Sequence, residues 1–142
     1  MQQIDEAIAS NQIDLIKLQT IHNLFVPEIN KGYQPQSSVL SLKFVDGYIS
    51  LKFLDQEFRA TRRVVVLDSR FAANEYAFVG AIGDKEHVLL CLYLVPEGGL
   101  FLNSKLDPAS HLCDYNNTYV VKKIMSKVHE AVMSSIFFAP LG

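Results

Sequence analysis

Apolar residues recur at helical spacing through the first 25 residues of the chain. Ile4 and Ile8 share one face, and later residues continue and widen this stripe: Ile13, Leu15, Ile16, Leu18, Ile21, Leu24 and Phe25. The pattern predicts a helical region over residues 1–26. Ser10-Asn11 offers a cap or a kink inside it, so two short helices are an alternative to a single one. Pro27 and Gly32 are expected to close the region, and residues 33–38 are typical of a connector.

From residue 38 onwards, apolar and polar residues alternate as they do in a half-buried strand. Asp46-Gly47 separates the first two alternating runs and predicts a two-residue type I′ hairpin turn. A second tight turn is expected at Asp55-Gln56, followed by strands over 57–67, 72–82, 87–95 and 100–103. The prediction is an antiparallel meander of five to six strands within residues 38–103.

Residues 104–117 are polar and irregular, and they predict a loop. Beyond this loop, apolar residues mark one face of a C-terminal amphipathic helix over 117–135: Val121, Ile124, Met125, Val128 and Val132. The order helix, antiparallel sheet, helix predicts an α+β fold, with both helical regions packed on the sheet. No repeat or linker divides the sequence, so residues 1–142 are expected to form a single domain.

One face of the first three strands is polar and mostly basic. With two-residue turns at both hairpins, Lys52 would lie opposite Arg59, and the outward surface would present these candidate binding residues: Lys43, Tyr48, Lys52, Arg59 and Arg63. Such a surface suits an anion or a nucleic acid. The alternative, which we favour, is an ordinary solvated face, because antiparallel sheets commonly expose one charged face.

Residues 87–95, HVLLCLYLV, are apolar on both faces of the predicted strand. One face can pack on the C-terminal helix, whereas the other needs the N-terminal helix, a second copy of the chain or an apolar ligand. Small residues at 73, 77 and 81 favour close packing of a helix or another backbone over an open pocket. We therefore expect the N-terminal helix to cover this face; a second copy is the next alternative, and a ligand pocket is the last. The apolar C-terminal tail also favours a protein contact, unless it folds back on its own core. The interface candidates are Val79, Tyr93, Phe137 and Phe138.

Composition and charge exclude several classes of protein. The chain is 49% hydrophobic with a net charge of −2, so it is typical of a folded domain that has no overall attraction for nucleic acid or an anionic membrane. The N-terminus lacks the basic and apolar regions of a signal peptide, and no apolar run is long enough to span a bilayer. Two cysteines do not suggest a disulfide framework. We therefore expect a soluble cytoplasmic protein that does not bind membranes.

Recognisable catalytic chemistry is sparse. The one cluster of reactive residue types is His111, Cys113 and Asp114 in the 104–117 loop, where a thiol and an imidazole could form a nucleophilic pair. Neither a metal-binding motif nor a phosphate-binding loop accompanies them, so we expect no metal and no cofactor. Arg62 falls on the apolar face of its strand, where a bulge must redirect it or a buried acid such as Glu75 must pair with it.

Three hypotheses for function follow from these patterns. The favoured one is a small protein-interaction protein, similar in role to an inhibitor, immunity protein or adaptor, whose partners include a second copy of itself in a homodimer. The alternative is a module that binds nucleic acid or an anion on the basic face. The third is an enzyme or ligand-binding domain with a site near residues 104–117, although the scarcity of motifs favours a non-enzymatic role.

Overall fold

The structure is a computed structural model that describes residues 2–32 and 39–142; within the first helix, it describes the side chains of Glu6, Ala9 and residues 12–32. The predicted connector over 33–38 lies outside the described residues. Two helices and an antiparallel sheet follow in this order: α1 (Gln2–Lys31), β1 (Leu40–Val45), β2 (Tyr48–Phe53), β3 (Gln56–Ala60), β4 (Arg62–Leu67), β5 (Phe71–Ile82), β6 (Lys85–Leu94), β7 (Gly99–Phe101), β8 (His111–Asp114) and α2 (Val120–Met133).

The predicted α+β class is confirmed. In the described residues the sheet has eight strands rather than five or six, in the order β1-β2-β3-β5-β6-β7-β8, with β4 also paired to β5. Neither α1 nor α2, as far as they are described, is long and apolar enough to cross a lipid bilayer.

α1 is one continuous helix that runs past Pro27, so the predicted end at residue 26 is wrong, and of the two alternatives at Ser10-Asn11 the single helix is the one that forms. Val26 and Ile29 are buried on either side of Pro27, and their burial holds the helix together at a residue that lacks an amide proton. Gly32 closes the helix by donating its N–H to the Glu28 carbonyl. A Cβ at Gly32 would lie 2.2 Å from Val121, so α1 can end against α2 only because this residue is glycine.

The first hairpin turn is confirmed and the second is displaced. Asp46 and Gly47 have φ values of 54° and 85°, and Lys43 lies opposite Ser50 as predicted. The next turn is formed by Leu54 and Asp55, with φ values of 47° and 68°, instead of by Asp55-Gln56. The pairing of β2 with β3 therefore shifts by two residues, which leaves each side chain on its predicted face but changes its partner.

The single strand predicted over 57–67 is divided at Thr61 into β3 and β4. Arg59 of β3 pairs with Val79, and Arg62 of β4 pairs with Tyr76, so both strands follow one register along β5. β2 pairs with β3 but not with β4, so within residues 2–32 and 39–142 the only strand that pairs with β4 is β5.

The predicted loop over 104–117 contains a strand. The side chain of Asp107 caps a short 3-10 helix, Pro108–Ser110, by accepting from the Ser110 N–H at 2.9 Å. The chain then runs back along β7 as β8, with Cys113 opposite Leu100. α2 begins at Val120 and ends at Met133, inside the predicted range of 117–135.

Both helices pack on the same face of the sheet, which we call the inner face. Phe25 of α1 and Ile124 of α2 belong to one buried cluster together with Phe58, Tyr76 and Phe78 of the sheet. The expectation that α1 crosses to the opposite face is therefore wrong. The opposite face, which we call the outer face, carries neither helix.

Candidate functional site: the outer face of the sheet

The register of β3, β4 and β5 determines which side chains share the outer face. Arg59 pairs with Val79, and Arg63 pairs with Glu75. Directly paired residues point to the same side of a sheet and successive residues alternate, so Ala77 joins these four on the outer face. The alternation buries Tyr76 and Phe78 in the core on the inner face.

The outer face is covered at one end by the chain itself and is open at the other. Leu92 and Leu94 of β6 face the core, whereas Tyr93 lies in a small outer cluster against which Leu106 packs. Val88, also on the outer face because it pairs with Val79, is 56% exposed. β6, the strand whose sequence is apolar on both faces, is thus covered by the helices on its inner side and in part by the 103–107 segment on its outer side.

A groove of about 400 Å³ lies on the open part of the outer face. Ala77 and Val79 contribute its apolar lining. Charged side chains of both signs, from four different strands or their ends, complete it. The full lining is Arg59, Thr61, Arg63, Glu75, Ala77, Val79 and Glu86.

Glu75 anchors one side of the groove through two interactions. Its carboxylate accepts from Arg63 Nη2 at 3.0 Å and from the Tyr93 hydroxyl at 3.0 Å. Burial, followed by the hydrogen bond to Glu75, raises the pKa of Tyr93, so the hydroxyl keeps its proton and remains the donor. The Glu75 side chain is only 15% exposed and lies beneath the Arg63 side chain, which is 72% exposed.

Arg59 is neutralised on the opposite side of the groove. Its Nε donates to the Glu57 carboxylate, and its guanidinium lies 4.6 Å from the centre of the Tyr48 ring. The hydrogen bond from Arg59 lowers the pKa of Glu57, and Ser50 contributes a second hydrogen bond at 3.1 Å. Arg59 is therefore oriented by an acid and an aromatic ring of the same protein.

The candidate residues of the basic face lie on the outer face, but one predicted contact is wrong. Lys52 is opposite Glu57, and Arg59 is opposite Ser50, because the second turn comes one residue earlier than expected. The predicted like-charge pair of Lys52 with Arg59 does not form. Lys43 lies opposite Ser50 across β1 and β2, further from the groove.

His111, Cys113 and Asp114 lie on β8 and do not form a common site. Cys113 is opposite Leu100 and is buried in the core, whereas His111 is opposite Phe101, and the two rings are tilted by 48° with their centres 5.1 Å apart. The thiol and the imidazole therefore face opposite sides of the strand. Burial raises the pKa of Cys113, which favours the unreactive thiol over the thiolate. His111 Nε2 lies 3.5 Å from Asp114 Oδ1 at the surface.

The 104–117 segment contributes Leu106 to a depression of about 240 Å³ beside β5 and β6. None of His111, Cys113 and Asp114 lines this depression. In the part of the chain that the structure describes, no three His, Cys, Asp or Glu side chains are grouped closely enough to hold a metal ion.

The four interface candidates divide between the two faces. Val79 lines the groove, and Tyr93 lies buried beside it. Phe137 and Phe138 instead pack on the inner side, edge-on to Phe58 at 4.7 Å and to Phe53 at 5.4 Å, respectively. The aromatic tail therefore folds back on the core of its own chain.

Arg62 and Glu86 show what sequence reasoning missed. Arg62 does lie on the inner side, but its Nη1 donates to Asn74 Oδ1 at 3.1 Å, while Glu75 pairs with Arg63. Glu86 reaches the groove because it pairs with Ala81 across the turn at Gly83. Alternation along β5 could have placed Glu75 with Val79, but no local pattern gives the partner of Glu86.

A search against protein-family models, curated proteins and solved structures returned no match.

Proposed function

We propose that this chain is a protein-interaction protein that docks another protein on the open part of its outer face. The observation that carries the proposal is the groove between Arg59, Arg63 and Glu86, on a sheet face that neither helix covers. Val88 adds an exposed apolar side chain next to the groove. An apolar patch bordered by charged residues is typical of a protein-binding surface.

The charges of the groove favour a protein partner over a polyanion. Arg63 is paired with Glu75, and Arg59 is paired with Glu57, so the two arginines do not form a free cationic surface. Glu86 adds a further carboxylate to the lining. The chemistry that fits best is a protein segment that places a small apolar side chain over Ala77 and Val79 and presents charges of both signs to the rim.

Two cysteines without a disulfide support a cytoplasmic location for this interaction. Cys91 and Cys113 are both free thiols. Reduced cysteines persist in the cytosol, whereas secreted proteins more often oxidise them. We therefore place the proposed binding activity in the cytoplasm.

The first experiment identifies the partner. A photo-crosslinking amino acid is placed at Ala81, which is exposed beside the groove, and in a control at Ile136, which is exposed on the C-terminal segment. The full chain is crosslinked in the cells that make it, and the adducts are sequenced by mass spectrometry. We expect a discrete protein adduct from position 81 that is absent from position 136. Equal adducts from both positions would argue against a site on the outer face.

The second experiment measures the affinity of that partner for surface variants. Val88→Glu is expected to weaken binding at least tenfold, because it places a charge where an apolar contact forms. Leu24→Glu, at a comparably exposed position on α1, is the matched control and should leave the affinity unchanged. Equal affinities for both variants would contradict the proposal.

The basic-face alternative predicts a different result. Binding to single-stranded nucleic acid would fall steeply with salt and would be abolished by a Lys52→Glu, Arg59→Glu double variant. We expect weak binding that this double variant leaves unchanged, because Glu57 already neutralises Arg59 and lies opposite Lys52.

A further inference from the structure

β4 has an open edge. It pairs with β5 over its whole length, from Arg62 opposite Tyr76 to Leu67 opposite Phe71. The neighbouring ladder of β2 and β3 ends at the pair Ile49 and Ala60 and does not reach β4. Among residues 2–32 and 39–142, no strand and no side chain hydrogen-bonds to the second edge of β4. Every second residue of this strand therefore presents an unpaired N–H and C=O to its surroundings.

The two terminal strands of the sheet are protected in ways that β4 is not. On β1, the Asn30 side chain occupies the edge: its Nδ2 donates to the Phe44 carbonyl at 3.0 Å and its Oδ1 accepts from the Phe44 N–H at 2.9 Å. β8 is only four residues long and carries His111 and Asp114 at its ends. Side-chain caps, short strands and charges all discourage edge-to-edge pairing.

β4 instead has the sequence of a strand that pairs. Three consecutive valines, Val64 to Val66, occupy its centre, where β-branched residues favour extended backbone and cross-strand packing. Val66 points to the inner side of the sheet, yet it is 67% exposed and lies outside the buried cluster that the two helices share with the sheet. An exposed, apolar edge strand in a folded protein is a template for another strand.

We propose that the occupant of this edge is the β4 strand of a second copy of the chain, paired antiparallel about a two-fold axis at Val65. Two eight-stranded sheets would then join into one continuous sheet. This inference does not rest on the proposed docking function of the groove, because it concerns the edge of the sheet and not its outer face.

Self-complementary charge selects a second copy over an unrelated strand. With Val65 on the axis, Val64 of each copy lies opposite Val66 of the other and covers its exposed side chain. Arg62 begins β4, and Asp68 is the first residue of the turn that follows it, so antiparallel pairing about Val65 brings each Arg62 near Asp68 of the second copy. Asp68 is exposed and accepts from Arg70 of its own copy at 2.7 Å, but a carboxylate accepts from more than one donor, and Arg62 donates to Asn74 from one guanidinium nitrogen only. The same strand thus carries both halves of the contact.

Cysteine crosslinking tests the register directly. On the two-fold axis, the Cα atoms of residue 65 would lie about 5 Å apart, within the range that a disulfide bridges. Val65→Cys should therefore form an intermolecular disulfide under mild oxidation, identified as a 65–65 linked peptide so that the native Cys91 and Cys113 do not interfere. Val64→Cys is the matched control: residue 64 would lie about 8 Å from its own copy, which is too far for a disulfide. Linkage from 64 but not from 65 would overturn the proposed register.

Sedimentation of the full chain tests the dimer. We expect a dimer whose dissociation constant rises at least tenfold in Val66→Lys, because this change places a charge against Val64 of the other copy. Val88→Lys, another exposed valine in a strand, should leave the dimer intact. The two valines also distinguish the two proposals, because Val88 lies beside the groove and Val66 lies on the edge strand. If Val88→Glu lost its partner but kept the dimer, the dimer proposal would still hold. A chain that stays monomeric at all concentrations would overturn it.

A third test follows the edge amides. Hydrogen exchange of residues 62–67 should slow as protein concentration rises, while exchange of β1 should not change, because Asn30 already occupies its edge. Protection of 62–67 that is independent of concentration, or that appears only with a bound foreign peptide, would assign the edge to another occupant and overturn the proposal.

Discussion

The side chain of Asn74, in the centre of β5, donates from Nδ2 to the main-chain carbonyl of Leu18 on α1 at 2.8 Å. Both residues are fully buried, and Asn74 Oδ1 accepts from Arg62. One amide thus joins the long helix to β5 and β5 to β4. Because buried polar groups need partners, this contact also determines where along the sheet α1 can sit.

Replacing Asn74 should therefore destabilise the protein out of proportion to the size of the change. Asn74→Leu keeps the number and branching of the side-chain heavy atoms but removes the hydrogen bonds to the Leu18 carbonyl and from the Arg62 guanidinium, and we expect a loss of about 2–4 kcal/mol in unfolding free energy. Urea denaturation measures it. Asn103→Leu removes two exposed hydrogen bonds, one donated to Asp107 and one accepted from the Lys105 N–H, and should change stability by less than about 0.5 kcal/mol. Equal effects of the two changes would show that Asn74 does not anchor α1.

Stability should fall as pH drops below about 6.5, the ordinary pKa of histidine. Burial, and then the nearby charge of Arg62, lower the pKa of His22 in the folded protein. The Tyr76 hydroxyl, whose pKa burial raises, lies 2.6 Å from His22 Nδ1, and we assign it as the donor to the neutral ring. The unfolded chain therefore binds the proton more readily. The stability is fully present above pH 6.5 and is lost as pH falls through the lowered pKa.

Urea midpoints between pH 7.5 and 5 measure this dependence. In His22→Gln the slope of stability against pH over this range should become smaller, whereas His129→Gln, an exposed position on α2, should keep the slope of the parent protein. An unchanged slope in His22→Gln would mean that other groups cause the acid sensitivity.

Leu54→Asn should stabilise the protein by about 1 kcal/mol. Leu54 has a φ of 47°, a left-handed conformation that strains a bulky side chain and that asparagine adopts more easily. The side chain is 54% exposed, so little packing is lost. Asp55→Asn changes a residue already suited to positive φ and should have almost no effect. A lower melting temperature in Leu54→Asn would contradict the assignment of this turn.

Phe137→Ala should reduce stability by about 2 kcal/mol, about half the usual effect for a fully buried phenylalanine. The ring packs on Phe58 and lies 3.1 Å from the position that a Cβ on Gly80 would take. Ile136→Ala, at a neighbouring exposed position, should be nearly neutral. A Phe137→Ala protein with full stability but weakened self-association would instead make the tail an interface.

Periodicity was enough to predict the fold class, the first hairpin and the faces of β1 to β5, because these features depend on local alternation. In β6 it placed Val88 on the face of Leu92 and Leu94, but an irregularity in the pairing with β5 moves Val88 to the outer face. The displaced second turn could not be predicted, since Leu54 adopts a conformation that its residue type disfavours. β8 was missed because its four residues, HLCD, carry no alternation of their own and become a strand only beside β7.

The groove depended on information that the sequence does not display. Arg59, Arg63 and Val79 were each identified as candidates, but in two separate hypotheses, one for anions and one for a protein partner. These three side chains come together because β3 and β4 both pair with β5. The turn at residues 68–70 joins β4 to β5. The position of α1 was wrong for a similar reason: its apolar stripe fits either face, and the contact of Asn74 with Leu18 selects the inner one.

The contact of Gly32 with Val121 has a consequence for how the chain acquires its structure. α1 precedes the whole sheet, and α2 follows it, yet Phe25 and Ile29 share a core with Ile124 and Val128. During synthesis α1 therefore emerges before the sheet and long before α2, so the part of its apolar surface that faces α2 stays exposed to water or to chaperones after the sheet has covered the rest. The slow, late event in folding should be the closure of α2 against α1 across the finished sheet.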